Sequence, residues 1–344
     1  MPQVSGMEIF SADSQGARGS VRRGPNPALP QLIVIGGATA TGKTALAIRL
    51  ALHFGTEILS ADSRQFYREM SIGTAKPNAA ELAAAPHHFI DFLSVEDDYS
   101  VGDFERDALA TLENVFYCRG DSKSPRQSEK PRQSEKDVAI LVGGSGLYLR
   151  AVCEGLDKFP DISPETKRAV EDGEKTGGLA WLQGELARRD LAHFHNIDQQ
   201  NPARLRRALE VCMETGQPYS SFLKPGLKKP RPFQPIYILL DLPRPELYSR
   251  IEARVDGMIA AGLEDEARGL LPHRHRPPLK TVGYEEFFDF FDGKISREEA
   301  VSKIKQHSRN YAKRQATWFA KHGDWQVFRP EDEAGVLAFL KFAR

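Results

Sequence analysis

Cysteine is scarce: Cys118, Cys153 and Cys212 are the only three in 344 residues, far apart and with no C-x-x-C pair. This argues against a disulfide framework or a thiolate zinc site, and a reducing, cytoplasmic setting is expected. No apolar run approaches the ~20 residues that a membrane span needs, so no membrane role is expected. An excess of charge is missing as well, with 47 basic against 47 acidic residues and a formal net charge of zero. Affinity for a polyanion must then come from local clusters, not from a global field. What is present is a 40% hydrophobic share, enough for a substantial core, in a length that holds one large domain or two ordinary ones.

The sharpest local signal is the apolar, β-branched run Leu32-Ile33-Val34-Ile35, which ends in Gly36 and continues as Gly37-Ala38-Thr39-Ala40-Thr41-Gly42-Lys43-Thr44. It runs straight into the helical pattern Ala45–Leu50. Buried strand, glycine turn and helix start, in that order, make a P-loop. Glycines let backbone N–H groups crowd a phosphate, and the helix start adds unpaired donors and a positive dipole end. Lys43 supplies a point charge, and the Thr44 hydroxyl can hold Mg²⁺. The ligand therefore carries a polyphosphate.

The rest of the chain sorts around this loop. Residues 1–29, rich in Ser, Gly, Pro and Arg, read as a disordered tail. A second strand is expected at Glu57–Ser60, a helix over 100–118 and a buried strand at Val138–Val142, broken by Gly143-Gly144-Ser145-Gly146. Between them the hexamer Pro-Arg-Gln-Ser-Glu-Lys occurs twice in tandem at 125–136; such polar residues bury nothing, so 120–136 reads as a surface-loop insertion. From 157 to 230 strand patterns vanish and charged helical patterns take over, closing in the basic, proline-laden Lys224–Pro232. The strand Ile236–Asp241 then resumes, with helices near 244–270 and 296–322. The expected fold is α/β: a P-loop NTPase-like parallel sheet covered by helices. Its core is discontinuous, 30–156 and 231–330, around an all-helical insertion at 157–230. Functional groups belong at the carboxyl ends of the strands.

Asp62 stands just past the second strand, where an acid either caps a short helical run or faces the ligand. The strand 138–142 lacks the terminal aspartate with which P-loop hydrolases hold Mg²⁺, which weakly supports nucleotide hydrolysis at best. His87 and His88 are adjacent, so their side chains diverge and are not expected to share a metal. On the last long helical pattern, Lys303, His307, Arg314 and Lys321 fall on one stripe, a solvated face or a phosphate contact. Ile304, Tyr311 and Trp318 repeat at seven-residue spacing on another, a core stripe or a base-stacking platform.

In this order and spacing the chain resembles the tRNA dimethylallyltransferases. The stretches that carry the likeness are Gly37–Thr44, Ser60-Ala-Asp-Ser-Arg-Gln-Phe-Tyr67, Ile72-Gly-Thr-Ala-Lys-Pro77 and Pro86–Asp91. Gly143–Tyr148, Asn201–Glu210, Thr281-Val-Gly-Tyr284 and Lys313–Trp318 complete it, over roughly residues 31–328. The resemblance implies transfer of a dimethylallyl group from dimethylallyl diphosphate to the exocyclic amine of the adenosine 3′ of the anticodon, with Mg²⁺ as cofactor. It implies that Asp62 is the base, that Ser145 faces the substrates and that Arg254 clamps the diphosphate. Gly37, Ala38, Thr39, Ala40, Thr41, Gly42, Lys43 and Thr44 would bind the diphosphate, with Thr44 on the metal. Contacts to the tRNA anticodon stem-loop would come from Asp62, Ser63, Arg64, Gln65 and Ser145, and from Lys167, Arg204, Arg206 and Arg207 of the insertion. Further contacts would come from Lys280, Thr281, Gly283 and Tyr284, and from Lys313, Arg314, Gln315 and Trp318. Ala38 and Ser145 depart from the usual proline and threonine, and Glu285 stands where arginine is common. A monomer is expected. The alternatives are a transferase acting on free adenine nucleotides, a small-molecule P-loop kinase or a non-catalytic RNA-binding descendant.

Overall fold

The computed structural model describes residues 29–117, 137–224 and 229–342. The tandem hexamer, Cys118 and residues 1–28 lie outside them. The chain opens with β1 (Gln31–Gly37), α1 (Lys43–Phe54), β2 (Ile58–Ser60), α2 (Ala79–Ala84), β3 (His87–His88) and α3 (Val101–Tyr117). It continues with β4 (Val138–Val142), α4 (Gly146–Glu154), α5 (Pro164–Arg189), α6 (Leu191–Asn196), α7 (Pro202–Thr215) and β5 (Gln234–Leu240). Last come α8 (Arg244–Ala260), α9 (Leu263–Gly269), α10 (Glu285–Phe291), α11 (Arg297–Lys321), β6 (Gln326–Phe328) and α12 (Glu333–Phe342).

The strands form one sheet in the order β3-β2-β4-β1-β5-β6, with every pairing parallel. β1 is central: Val34 lies opposite Leu141 of β4 on one side and Tyr237 of β5 on the other. Its apolar residues are continuous because both faces are covered. Leu32 and Val34 enter one core with Leu59, Leu141, Phe66 and Phe104, whereas Ile33 and Ile35 enter the other with Leu46 and Leu50 of α1. The second core also takes Val336 and Leu340 of α12, so the packing of the sheet runs past the expected boundary at 330. His87 and His88 form the short edge strand beside β2, where His88 Nε2 lies 2.8 Å from Glu57 Oε2.

Between 164 and 222 the described residues form helices and no strand. Ser163, Asp190 and Asn201 cap α5, α6 and α7 through side-chain oxygens. Val170, Leu182 and Leu186 of α5 pack with Leu205, Leu209 and Cys212 of α7 in a core of their own. Among the described residues no helix is long and apolar enough to cross a membrane.

Candidate active site

Parallel strands put the end of β1 and the start of α1 at the same edge of the sheet, and the loop between them is held by its own polar groups. Gly42 adopts the left-handed conformation at φ +85°, which spares the helix start a Cβ penalty. The Ala38 carbonyl accepts both Thr41 Oγ1 at 2.8 Å and Lys43 Nζ at 2.7 Å. Thr39 N donates to Gln315 Oε1 at 2.9 Å, and Gln315 Nε2 donates to the Gly144 carbonyl at 2.9 Å. One amide thus ties the P-loop to the turn after β4. Arg254 Nη1 of α8 donates to Thr39 Oγ1 at 3.1 Å. Burial pushes the Lys43 ammonium down to about 8; the Asp62 carboxylate pulls it back up, and Arg254 adds to the lowering. Burial also lowers Arg254, against the pull of Asp62.

These groups open into a cavity of about 440 Å³. Thr39, Ala40, Gly42, Lys43, Thr44, Asp62 and Arg254 make its polar end. Ile251, Val255 and Met258 of α8, Leu263 of α9, Ile304 of α11 and Val282, from the turn before α10, make an apolar wall. Asp62 Oδ1 accepts Arg64 N at 3.2 Å in a local turn, so it does cap its own backbone, yet the residue also lines the cavity. Ser63 and Ser145 hydroxyls meet at 3.4 Å, and Ser145 lies near the phenol of Tyr311, which lines the cavity. Burial first and the Asp62 charge next push that phenol up to about 12, so it stays protonated at neutral pH. The Arg314 guanidinium lies 5.7 Å over the Tyr311 ring.

The structure redistributes several expected roles. Gly37, Ala38 and Thr41 lie behind the cavity surface; the buried Thr41 hydroxyl closes the loop instead of meeting a ligand. Gln65 and Gln315 are largely buried at the cavity wall with their amides engaged, Gln315 with backbone and Gln65 with the Thr74 and Ala75 carbonyls through Nε2 and with the Ser60 hydroxyl at 3.3 Å through Oε1. Tyr284 is fully buried and donates to Glu266 Oε1 at 2.6 Å, so the direct tRNA contact expected of it is corrected to a supporting role. Arg206 is engaged twice with Glu174, at 2.7 and 2.9 Å, joining α7 to α5. Trp318 is half-buried and stacked on His322 at 4.5 Å. Lys167, Arg204, Arg207, Lys280, Lys313 and Arg314 are exposed, and Thr281 and Gly283 line the cavity. The seven-residue stripe, a core stripe or a base-stacking platform by sequence, places both Ile304 and Tyr311 at the cavity; the rest of the apolar wall carried no signal in the sequence.

A sheet of this order, with a glycine loop leaving the carboxyl end of its central strand into a helix, defines a P-loop-type α/β protein. Comparison with known proteins narrows the class. Residues 65–322 match the family model described as IPP transferase. A tRNA dimethylallyltransferase of Christiangramia forsetii is 48% identical over 312 residues, covering 90% of this chain and 97% of the relative. One from Cytophaga hutchinsonii is 44% identical over 310 residues, covering 90% and 96%. Among solved structures, the tRNA isopentenylpyrophosphate transferase of Bacillus halodurans superposes with a TM-score of 0.64 at 31% identity, covering 91% of this chain and 96% of that one. The chain belongs to the IPP transferase family.

Proposed function

We propose that the chain transfers the dimethylallyl group of dimethylallyl diphosphate to the N6 amine of the adenosine 3′ of the anticodon. Its tRNAs are those reading codons that begin with U, and the product is N6-isopentenyladenosine. The observation that supports this most is the cavity itself: a cradle with Lys43 and Arg254, apolar side chains beside it and the Asp62 carboxylate in the same lining. A short alkenyl diphosphate has that polarity along its length. The named activity of the tRNA dimethylallyltransferase relatives supports the acceptor.

The exocyclic amine attacks the carbon bonded to the diphosphate, the C–O bond breaks and the diphosphate leaves with the bonding pair. Asp62 takes the amine proton, which matters because an adenine amine is a poor nucleophile. The P-loop amides, Lys43 and Arg254 meet the charge that grows on the leaving group. Thr44 lines the cavity, and no described protein group bonds its hydroxyl. That suits Mg²⁺, which takes few protein oxygens and fills its shell with phosphate and water. Bound there, Mg²⁺ supplies further neutralisation of the diphosphate. The adenine must leave its stack to reach Asp62, as base-modifying enzymes require.

The experiment is a pH series of donor binding with ATP as competitor. Dimethylallyl diphosphate is expected to bind in a Mg²⁺-dependent manner and more tightly than ATP; robust ATP turnover would favour a kinase. Bound anion raises the Lys43 pKa above its free value of about 8. Affinity is therefore flat below pH 8, and above it Kd rises toward about tenfold per unit until the bound-state pKa is passed. Lys43→Met should bind weakly and without this step; a step that persists in the variant assigns it to another group.

For the tRNA, Lys167 and Arg207 flank Glu210 on the helical segment, and Arg204 is exposed one turn before it on α7. Charge reversal at Arg204, Arg207 and Arg314 is expected to weaken tRNA binding and flatten its salt dependence, by a slope of about 0.7–0.9 per lost phosphate contact. Donor affinity should not change. Unchanged tRNA affinity in all three variants would remove the helical segment as the clasp.

A further inference from the structure

Three consecutive backbone amides converge on one carboxylate next to the cavity. Ser71 N and Ile72 N donate to Glu266 Oε2 at 2.9 and 2.8 Å, and Gly73 N donates to Oε1 at 2.9 Å. Such a run of N–H groups is an anion-binding nest, and here an internal side chain fills it. The buried Tyr284 hydroxyl adds a fourth donor on Oε1 at 2.6 Å. The turn lies flat on that ring: a Cβ on Gly73 would meet Tyr284 ring and hydroxyl atoms at 2.6 Å, so only glycine fits.

The groups tied together here adjoin the cavity wall, and Gly73 lines it. Gly73, Thr74, Ala75, Lys76 and Pro77 line it directly after the nest, and Thr281 and Gly283 line it directly before Tyr284. Leu263, one turn before Glu266 on α9, lines it too. From the 73–77 segment the link continues to Gln65, whose Nε2 holds the Thr74 and Ala75 carbonyls and whose backbone N–H donates to the Asp62 carbonyl at 3.0 Å. Burial and the Glu266 charge raise the Tyr284 phenol above its ordinary value, which keeps it a donor.

We infer that Glu266 is a positioning residue for the transfer reaction: its carboxylate locks the Ser71–Gly73 turn to Tyr284 and thereby sets the cavity wall against which Asp62 and the bound substrates are aligned. The role rests on the transfer activity proposed above. A carboxamide cannot replace it, because one of its two ends is a donor and would face an amide N–H.

The test compares full-length wild type, Glu266→Gln, Glu266→Asp and Tyr284→Phe well below the lowest melting temperature of the set. Glu266→Gln should lower single-turnover transfer by about tenfold or more, since misplacement of a wall is costly even far from the reacting atoms. Affinity for Mg²⁺–diphosphate should stay within about twofold, because the P-loop is held by other contacts. Glu266→Asp should recover part of the rate, and Tyr284→Phe, which keeps the three amide bonds, should lose less than Glu266→Gln. Amide hydrogen exchange should quicken in a 68–77 peptide of Glu266→Gln and not in a 36–46 peptide. A wild-type rate in Glu266→Gln, unchanged exchange over 68–77, or a parallel collapse of diphosphate binding overturns the assignment. A wild-type protein that transfers nothing overturns the transfer reading instead, and the exchange experiment then still decides whether the clasp exists.

Discussion

Asp62→Asn is expected to lower the single-turnover rate of prenyl transfer by about 10²–10⁴-fold, the range lost when a positioned general base is removed. Asparagine keeps the size of the side chain and an acceptor oxygen. It can still take the Arg64 N–H that Asp62 Oδ1 takes in the wild type, so the local turn survives and the melting temperature should barely move. What it cannot do is accept the amine proton. Affinity for tRNA should stay within a few-fold, since neutralising a carboxylate beside an anionic substrate removes no favourable contact. If the only role of Asp62 were to cap its turn, rate and stability would both be untouched. Melting temperature, tRNA affinity and single-turnover rate on this one variant separate the two roles.

Arg254→Ala is expected to cost about 10²–10³ in the same rate, the loss typical of one donor aimed at developing charge. The guanidinium is held at the Thr39 hydroxyl, within the cradle, and its desolvation makes each contact with the leaving diphosphate stronger than in water. A second effect follows from the electrostatics. Arg254 helps to lower Lys43, so its removal should move the pH step in donor binding upward from about 8. Arg254→Lys should restore part of the rate and return the step toward its wild-type position, although a point charge lacks the planar fork. Loss of rate with an unmoved pH step would mean that Arg254 and Lys43 do not share the cradle.

The parts of this site that lie contiguously were legible in the sequence. A P-loop is built from backbone, and Gly37–Thr44 states its geometry directly; the strands read clearly because both parities of β1 and β4 are apolar. The elements that went unforeseen are the ones with too few residues to show a period. β3 has two residues and β6 three, and both exist only because a neighbouring strand offers an edge. Burial was the harder matter. Tyr284, Gln65, Gln315 and Arg206 sit in stretches that resemble a tRNA-binding family, yet each spends its polar atoms on a protein partner. For Tyr284 it is Glu266, for Gln315 the Gly144 carbonyl, and for Arg206 it is Glu174. Those partners stand 18, 171 and 32 residues away, a separation that no motif records. The apolar wall was hidden for the same reason, since it is assembled from α8, α9, the 281–283 turn and α11.

On the proposed function, one cavity brings a diphosphate-bound alkenyl group to an adenine amine. The most direct test is to incubate the purified protein with Mg²⁺, dimethylallyl diphosphate and an unmodified tRNA that reads a codon beginning with U, then digest the tRNA and map fragment masses. The expected result is the gain of one dimethylallyl group, less the displaced proton, on the adenosine 3′ of the anticodon and nowhere else, with release of diphosphate in equal amount. An unmodified tRNA beside a prenylated free adenine nucleotide, or beside ATP turned over with no prenyl transfer, would contradict it.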